Sequence, residues 1–283
     1  MNSTFGVRFC LSCRKIIYLP LINRIMQKLE GKVAFITGAD SGIGKATAIE
    51  FAREGAHIVI CYHRDRQGAE ETLREVESTG RHGYIVQLDV SDEQMVEQTF
   101  NEAIAQLHTI DILVNNAGVN GSGIKVAEME TSVFDKTMKA NLYGTFFCSR
   151  KFIRLRKGLS GRAKIINISS VHEEIVAPGN ADYNASKAAI RNFTRTLALE
   201  LAGEEINVNS IAPGMILTPM NQKALDDQDA REEQESHIPM KRAGNPSEIG
   251  RLAVFLASSD ADYVTGSTYF MDGGLSLQLG QGA

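Results

Sequence analysis

The chain has 283 residues, of which 43% are hydrophobic and 23% charged, with a formal net charge of −4. That is enough apolar material for one substantial core, and with no basic stripe and no aromatics interleaved among Lys and Arg, nucleic acid is not expected as a partner. The longest apolar run near the N-terminus, Ile16 to Ile22, contains Pro20 and is too short to cross a bilayer, so no membrane helix is expected either.

Residues 1–27 differ from the rest of the chain. Arg8, Arg14, Lys15 and Arg24 make them basic, their apolar residues keep no period, and no small-residue cleavage site follows a sustained apolar stretch. They are expected to be an N-terminal extension, either a disordered tail or a gene-start artefact ahead of a native start near Met26, with one organised domain over 28–283. Cys10 and Cys13 lack a second pair or a nearby His to complete a zinc site, so no metal is expected. Cys61 and Cys148 fall within apolar runs; four cysteines without a disulfide framework fit a reducing cytoplasm.

From Lys32 to Thr37 the sequence reads as a buried strand. Gly38-Ala39-Asp40-Ser41-Gly42-Ile43-Gly44 comes next, then a helix through Ala46, Ile49 and Phe51 that Gly55 stops. Strand, glycine turn and helix in that order put the glycines where a backbone can approach a pyrophosphate and where helix N–H groups can hold it. A second strand, His57 to Cys61, completes the βαβ unit, and Tyr62-His63-Arg64 comes after it. No carboxylate stands there to bind a ribose 2′-hydroxyl or repel a 2′-phosphate, and Arg64, with His63, can pair with the phosphate. NADP is therefore expected to be preferred, or both NADP and NAD used; the competing reading is a solvated loop in which Arg64 pairs with Asp65.

Alternation continues. Gln67 to Ser78 reads as a helix, Tyr84 to Leu88 as a strand ending at Asp89, Ser91-x-x-Gln94 as a capping box, and Ile110 to Val114 as a strand running into Asn115-Asn116-Ala117-Gly118. Ser132 to Arg154 reads as one helix holding Asn141 and Gly144, and Lys164 to Ile168 as a strand leading into Ser169-Ser170. The pattern predicts an α/β fold: a single-domain, doubly wound, Rossmann-type parallel sheet with helices on both faces and ligands at the carboxyl ends of its strands.

Tyr183-Asn184-Ala185-Ser186-Lys187 opens the next helical pattern, so a phenol and an ammonium four residues apart project from one face. Bringing a Tyr from ~10 to about 7 takes roughly 4 kcal/mol, and a cation at ~4 Å in an effective dielectric of ~20 supplies that much. Such a Tyr could exchange a proton with an alcohol or ketone at neutral pH. Met215 to Met240 is a long connection rich in acids, read as a lid over 215–240 with a solvated acidic face. A helix from Pro246 to Ala257 and a strand around Ser267 to Met271 close the chain.

Thr37-Gly38-x-x-x-Gly42-Ile43-Gly44, Asp89-Val90, Asn115-Asn116-Ala117-Gly118, Asn141, Ser170, Tyr183-x-x-x-Lys187 and Pro213-Gly214, each in its element, resemble the short-chain dehydrogenase/reductase family from Lys32 to Leu277. The resemblance implies a homotetrameric NAD(P)-dependent oxidoreductase with a small-molecule substrate. Tyr183 would be the acid/base. Lys187 would bind the nicotinamide ribose and depress the Tyr183 pKa, Ser170 would hold the substrate oxygen, and Asn141 would hold a water linking Lys187 to solvent. The family places its Ser thirteen residues before the Tyr, which selects Ser170 over Ser169. Cofactor contacts would come from Gly38, Ser41, Gly42, Ile43, Gly44, Asp89, Val90, Asn115, Ala117, Gly118, Pro213, Gly214, Ile216 and Thr218, besides His63, Arg64, Tyr183 and Lys187. The helix carrying Phe146, Phe147, Phe152 and Ile153, with the closing strand, would make the subunit contacts.

Within the family, Ser169-Ser170-Val171-His172-Glu173, Ile238-Pro239-Met240 and Tyr263-Val264-Thr265-Gly266 are similar to bacterial glucose 1-dehydrogenases. His172 and Glu173, with Asn120, Asn180 and Asp182, would offer donors and acceptors to a polyol. That group often carries a carboxylate two residues after Asn-Asn-Ala-Gly, where this chain has Asn120. The reading is a dehydrogenase of a sugar or other secondary alcohol, glucose first. A 3-oxoacyl or general carbonyl reductase shares every catalytic residue, and a non-catalytic NAD(P) sensor is the reading from another class.

Overall fold

The computed structural model describes residues 27–278. The expectations for residues 1–26, including the Met26 start and the Cys10 and Cys13 pair, lie outside the described residues. Gln27 is already tied in, donating through its amide to the Arg53 carbonyl at 2.7 Å. Among the described residues no helix is long and apolar enough to cross a membrane.

Seven parallel strands make one sheet, in the order β3-β2-β1-β4-β5-β6-β7. They are β1 Val33–Ile36, β2 His57–Tyr62, β3 Gly83–Gln87, β4 Ile112–Asn115, β5 Ala163–Ile168, β6 Ile206–Pro213 and β7 Thr268–Met271. The helices between them are α1 Gly42–Arg53, α2 Arg66–Glu77, α3 Glu93–Leu107, α4 Thr131–Met138, α5 Gly144–Arg156, α6 Ala181–Leu201, α7 Gln222–Asp226, α8 Gln228–Ser236 and α9 Pro246–Ala257. The doubly wound expectation is met, and the strand order reverses between β1 and β4, where such sheets open a crevice.

Strand alternation divides the core into two layers. Ala34 and Ile36 of β1 face Phe51 of α1 and Ile249 and Ala253 of α9 on one side of the sheet. Val33 and Phe35 face Phe100 of α3, Phe152 of α5 and Leu197 of α6 on the other. Phe35 and Phe100 stack with ring centroids 4.0 Å apart.

Several local expectations need correction. The helix predicted over Ser132 to Arg154 is two helices joined by a π-helical turn, Lys139–Tyr143, which carries Asn141. α3 is capped by Asp92, whose Oδ1 accepts from the Gln94 and Met95 amides, and not by Ser91. β6 was not foreseen: it is buried along its whole length, and Asn207 and Asn209 interrupt its apolar pattern because their amides donate to the carbonyls of Asp262 and Val264. The connection over 215–240 contains α7 and α8, and the acid-rich run forms the largely exposed α8. Phe152 lies fully buried in the core and so offers nothing to a partner subunit.

Candidate active site

The turn after β1 is built on glycine. Gly38 and Gly42 hold left-handed backbone, at φ 61° and 55°, and a Cβ on Gly44 would lie 2.0 Å from the Gly38 carbonyl oxygen. Only glycine lets the chain fold back this tightly ahead of α1. Ser41, the N-cap of α1, makes no side-chain cap bond, so the uncapped first-turn N–H groups carry their partial positive charge at a helix start whose Ser41, Gly42 and Ile43 line the cleft. Thr37 stitches this turn to the end of β4: its Oγ1 accepts the amides of Asn116 and Ala117, both at 2.9 Å. Asn116 answers by donating to the Thr37 and Gly38 carbonyls at 2.9 and 2.8 Å.

Asn115, expected to touch cofactor, does not reach the crevice. Being the last residue of β4, it turns its side chain into the buried layer and donates to Ser149 Oγ at 3.0 Å and Asn167 Oδ1 at 2.8 Å. Strand alternation sends its neighbour Asn116 to the crevice instead, a residue to which the sequence pattern gives no separate role.

A cleft of about 650 Å³ runs along the strand ends, lined by Gly38, Ser41, Gly42, Ile43, His63, Arg64, Asp89, Val90, Ala117, Gly118 and Thr218 among others. Asp89 accepts both the amide and the hydroxyl of Ser91, at 2.9 and 2.7 Å. Burial works against its charge, but those bonds and the neighbouring His63 and Arg64 outweigh it and hold the carboxyl below its usual range. The alternative pairing of Arg64 with Asp65 is not seen. Asp65 Oδ1 instead accepts the Gly68 amide at 2.9 Å and caps α2, and Arg64 makes no ion pair among the described residues while lining the cleft. Asp40, overlooked in the sequence, lines the same wall, and burial, with the like charge of Asp65, raises its pKa.

At the other end the cleft continues into a lobe of about 350 Å³ that contains Ser170, Tyr183, Lys187, His172, Asn120, Asn180, Pro213, Gly214 and Ile216. Tyr183 and Lys187 leave one face of α6, and Ser170 comes from the end of β5. All three are buried, with Lys187 donating to the Ile168 carbonyl at 2.9 Å and lying 5.5 Å from the Tyr183 ring centroid. Asn141 stays behind the lobe: its Oδ1 accepts the Val119 amide at 2.8 Å and its Nδ2 donates to Ser186 Oγ at 3.0 Å. The π turn places it there, and Ser186 Oγ passes the chain on to the Tyr183 carbonyl at 2.7 Å.

The expected depression of the Tyr183 pKa is not found. Burial raises the phenol above its ordinary value and the hydrogen bond with Ser170 pulls it partly back. Lys187 carries the larger perturbation, since burial lowers its ammonium to about 8. The spacing alone places a cation beside the phenolic oxygen, whereas the Lys187 side chain runs to the end of β5.

Of the polar residues expected to meet a polyol, Asn120, His172 and Asn180 line the lobe and two others do not. Asp182 is fully buried, accepting from Thr137 Oγ1 at 2.8 Å, and Glu173 is buried with its Oε1 3.5 Å from Arg191 Nε. The segment after β6 supplies Met215, Met220, Asn221 and, from α8, Gln234. A sequence pattern gives no means to find Gln234, because which turn of a polar helix faces inward depends on how the lid is folded.

The residues present fit a dinucleotide. The glycine turn leaves a cradle that any Cβ at Gly44 would fill, a cationic patch stands at one end, and a phenol, an ammonium and a hydroxyl converge at the other. The family model described as Enoyl-(Acyl carrier protein) reductase matches residues 38–276. The chain is 38% identical to glucose 1-dehydrogenase 2 of Bacillus subtilis (strain 168) over 89% of its length and 98% of that protein's. It is 42% identical to 3beta-hydroxysteroid dehydrogenase 1 of Eggerthella lenta, over 90% and 98% of the two chains. A structure from Agrobacterium tumefaciens with bound NADP superposes with a TM-score of 0.80 at 32% identity, covering 88% of this chain and 98% of that one. With this fold, this site and these relatives, the chain belongs to the short-chain dehydrogenase/reductase family and is an NAD(P)-dependent oxidoreductase acting on alcohols.

Proposed function

We propose that the protein oxidises a CH–OH group of a sugar, glucose being the first candidate, with NADP or NAD. The observation that carries this is the presence of the Ser170 and Tyr183 hydroxyls in one lobe, whose other polar groups include Asn120, His172, Asn180, Asn221 and Gln234. A substrate with several hydroxyls satisfies such groups, while a long acyl chain or a steroid leaves them unpaired at a cost of about 1–3 kcal/mol each. The resemblance to a glucose 1-dehydrogenase at 38% identity supports the same choice.

The glycine turn, Ser41, Ile43, Asp89, Gly118 and Thr218 would hold the dinucleotide, and His63 and Arg64 the 2′-phosphate when it is present. When bound, the nicotinamide supplies the hydride acceptor or donor. Ser170 holds the substrate oxygen and Tyr183 exchanges its proton. Burial lowers the Lys187 ammonium to about 8 and raises the Tyr183 phenol; alcohol oxidation needs Tyr183 as the phenolate, which an ammonium on Lys187 favours. Asn141 fixes Ser186, and through it the first turn of α6 on which Tyr183 stands. The segment over 215–240 acts as a lid, since it brings Met215, Met220, Asn221 and Gln234 to the lobe.

Assembly as a homotetramer through α5 is part of this reading. It is supported by Tyr143, 49% exposed, and by the half-buried Phe146 and Phe147, which stack with Arg150 on the outer face of α5. The free, buried thiols of Cys61 and Cys148 are in keeping with a reducing cytoplasm.

The test is absorbance of the reduced nicotinamide with glucose and each oxidised cofactor, run beside a 3-hydroxysteroid and, in reverse, an acetoacetyl thioester. Sugar turnover at least tenfold more efficient than either alternative is expected. Turnover confined to the steroid or thioester would sink the sugar assignment, and no turnover with tight cofactor binding would favour a sensor.

A further inference from the structure

The loop that leaves β4, Gly118-Val119-Asn120-Gly121-Ser122-Gly123, has three glycines in six residues. Glycine loses more conformational freedom on ordering than any other residue, yet this loop carries Asn120, which lines the substrate lobe. Two contacts from outside the loop flank that residue. On one side Asn141 clasps the Val119 main chain, its Oδ1 accepting the amide at 2.8 Å and its Nδ2 donating to the carbonyl at 3.1 Å. On the other stands Asp182, the fully buried acid in the first turn of α6, immediately before Tyr183. Its Oδ1 accepts the Ser122 amide in a long bond of 3.5 Å, and its Oδ2 accepts the Thr137 hydroxyl of α4 at 2.8 Å. Around that bond the loop lies hard against the chain leading into α6. A Cβ on Gly121 would come 2.4 Å from Asn180 Oδ1, and one on Gly179 would come 2.9 Å from the Gly123 carbonyl oxygen.

A carboxyl group in full burial is costly beside an apolar residue of similar volume. What an apolar residue could not provide is a pair of acceptors that ties the loop and α4 to one point on α6. We propose that Asp182 is a positioning residue for substrate recognition: by fastening Ser122 and Thr137 to the start of α6, it holds Asn120 over the lobe in register with Tyr183. Asn120 already uses its Oδ1 to accept the Gly121 amide at 2.9 Å, which leaves its NH2 group to donate to a substrate oxygen. That oxygen is one other than the hydroxyl that Ser170 and Tyr183 handle. Misplacing Asn120 therefore weakens the ground state and the transition state alike, and the loss appears in KM. This kinetic consequence rests on the sugar reading above, whereas the fastening of the loop does not.

The experiment is Asp182→Ala in the full chain, read in two ways. Amide hydrogen exchange followed by mass spectrometry reports on the loop without any turnover: peptides spanning residues 118–124 should exchange about tenfold faster in D182A, with β1 and α9 unchanged. In glucose oxidation, KM for the sugar should rise about tenfold while kcat falls less than about threefold. Asn120→Ala should raise KM by a similar factor, and the double variant should be no worse than N120A alone, because Asp182 acts through Asn120. D182N keeps an acceptor oxygen and should recover most of the protection and most of the KM. A folded D182A whose loop exchanges at the wild-type rate overturns the proposal, whatever the enzyme's substrate. KM losses that multiply in the double variant, or a fall in kcat with KM unmoved, overturn it too. Absence of sugar turnover in the wild-type enzyme sinks the sugar reading instead, and loop exchange then decides the role of Asp182 by itself. Should D182A fail to fold, Thr137→Val removes one of the two donors and should speed loop exchange about threefold; no change there overturns the proposal equally.

Discussion

Lys187 donates to the main-chain carbonyl of Ile168 at 2.9 Å, which ties α6 to the end of β5 and sets a buried ammonium beside Tyr183. That tether is made at an energetic cost to folding. Burial brings the Lys187 pKa from 10.5 to about 8, so between those values the unfolded chain holds a proton that the folded one lacks. Stability from this group is therefore lowest below pH 8 and rises with pH through the window, by up to about 3 kcal/mol. Lys187→Met should remove that rise and raise stability at pH 7 by about 1–2 kcal/mol, while turnover drops at least about 100-fold. Urea melts at pH 7 and pH 10 check it; a variant with the wild-type pH slope would contradict it.

The acid/base role of Tyr183 gives a direction-dependent pH effect. A phenol held above its usual pKa by burial is protonated at neutral pH, which suits proton donation to a carbonyl. Oxidation instead needs the deprotonated phenol, which becomes commoner as pH rises. Oxidation should climb with pH through the neutral range, by up to about tenfold per unit, while reduction should stay nearly level across pH 6 to 7.5. Tyr183→Phe should cost at least about 100-fold in both directions and leave cofactor affinity within about twofold. Retention of most of the rate would rule Tyr183 out.

How much of this is legible in the sequence depends on whether a residue's task is local. Gly38, Gly42 and Gly44 announce a tight strand-to-helix turn by type and spacing, and the fold comes from the alternation of buried strands with helices. Asn115 and Asn116 are alike as letters; only the pleat of β4 decides that Asn116 reaches Gly38 and Asn115 the interior. β6 escaped notice because Asn207, Asn209 and Ser210 are paired to carbonyls from distant segments, which no local pattern reveals. Glu173 and Asp182 look in sequence like solvent-facing acids near a site, and their burial depends on partners from α6 and α4.

Cofactor choice rests on two opposed charges in one wall of the cleft. Arg64 makes no ion pair among the described residues, Asp65 being engaged in capping α2, and Asp40 faces the same space with His63 nearby. Arg64→Ala should weaken NADP about 10- to 100-fold, as expected for loss of a charge-assisted pair, with little effect on NAD. Asp40→Asn should act the other way and tighten NADP a few-fold. Fluorescence titration of both variants with both reduced cofactors decides it, and equal losses for the two in R64A would return Arg64 to the role of a solvated loop residue.

Substrate choice is expected to depend on α8. Gln234 reaches the lobe from a helix whose remaining residues are largely solvated, and Asn180 lines the same lobe beside Gly121, where an added Cβ would come within 2.4 Å of Asn180 Oδ1. A side-chain amide in such a place can pair with ring hydroxyls remote from the reacting carbon, where it aids binding more than chemistry. Gln234→Leu should therefore raise KM for glucose about 10-fold with kcat nearly unchanged, and leave a simple secondary alcohol unaffected. Asn180→Ala should do the same, and the double variant should lose less than the product of the two if both amides hold one sugar ring. A Q234L enzyme that loses kcat for every substrate alike would show that α8 acts through lid closure and not through sugar recognition.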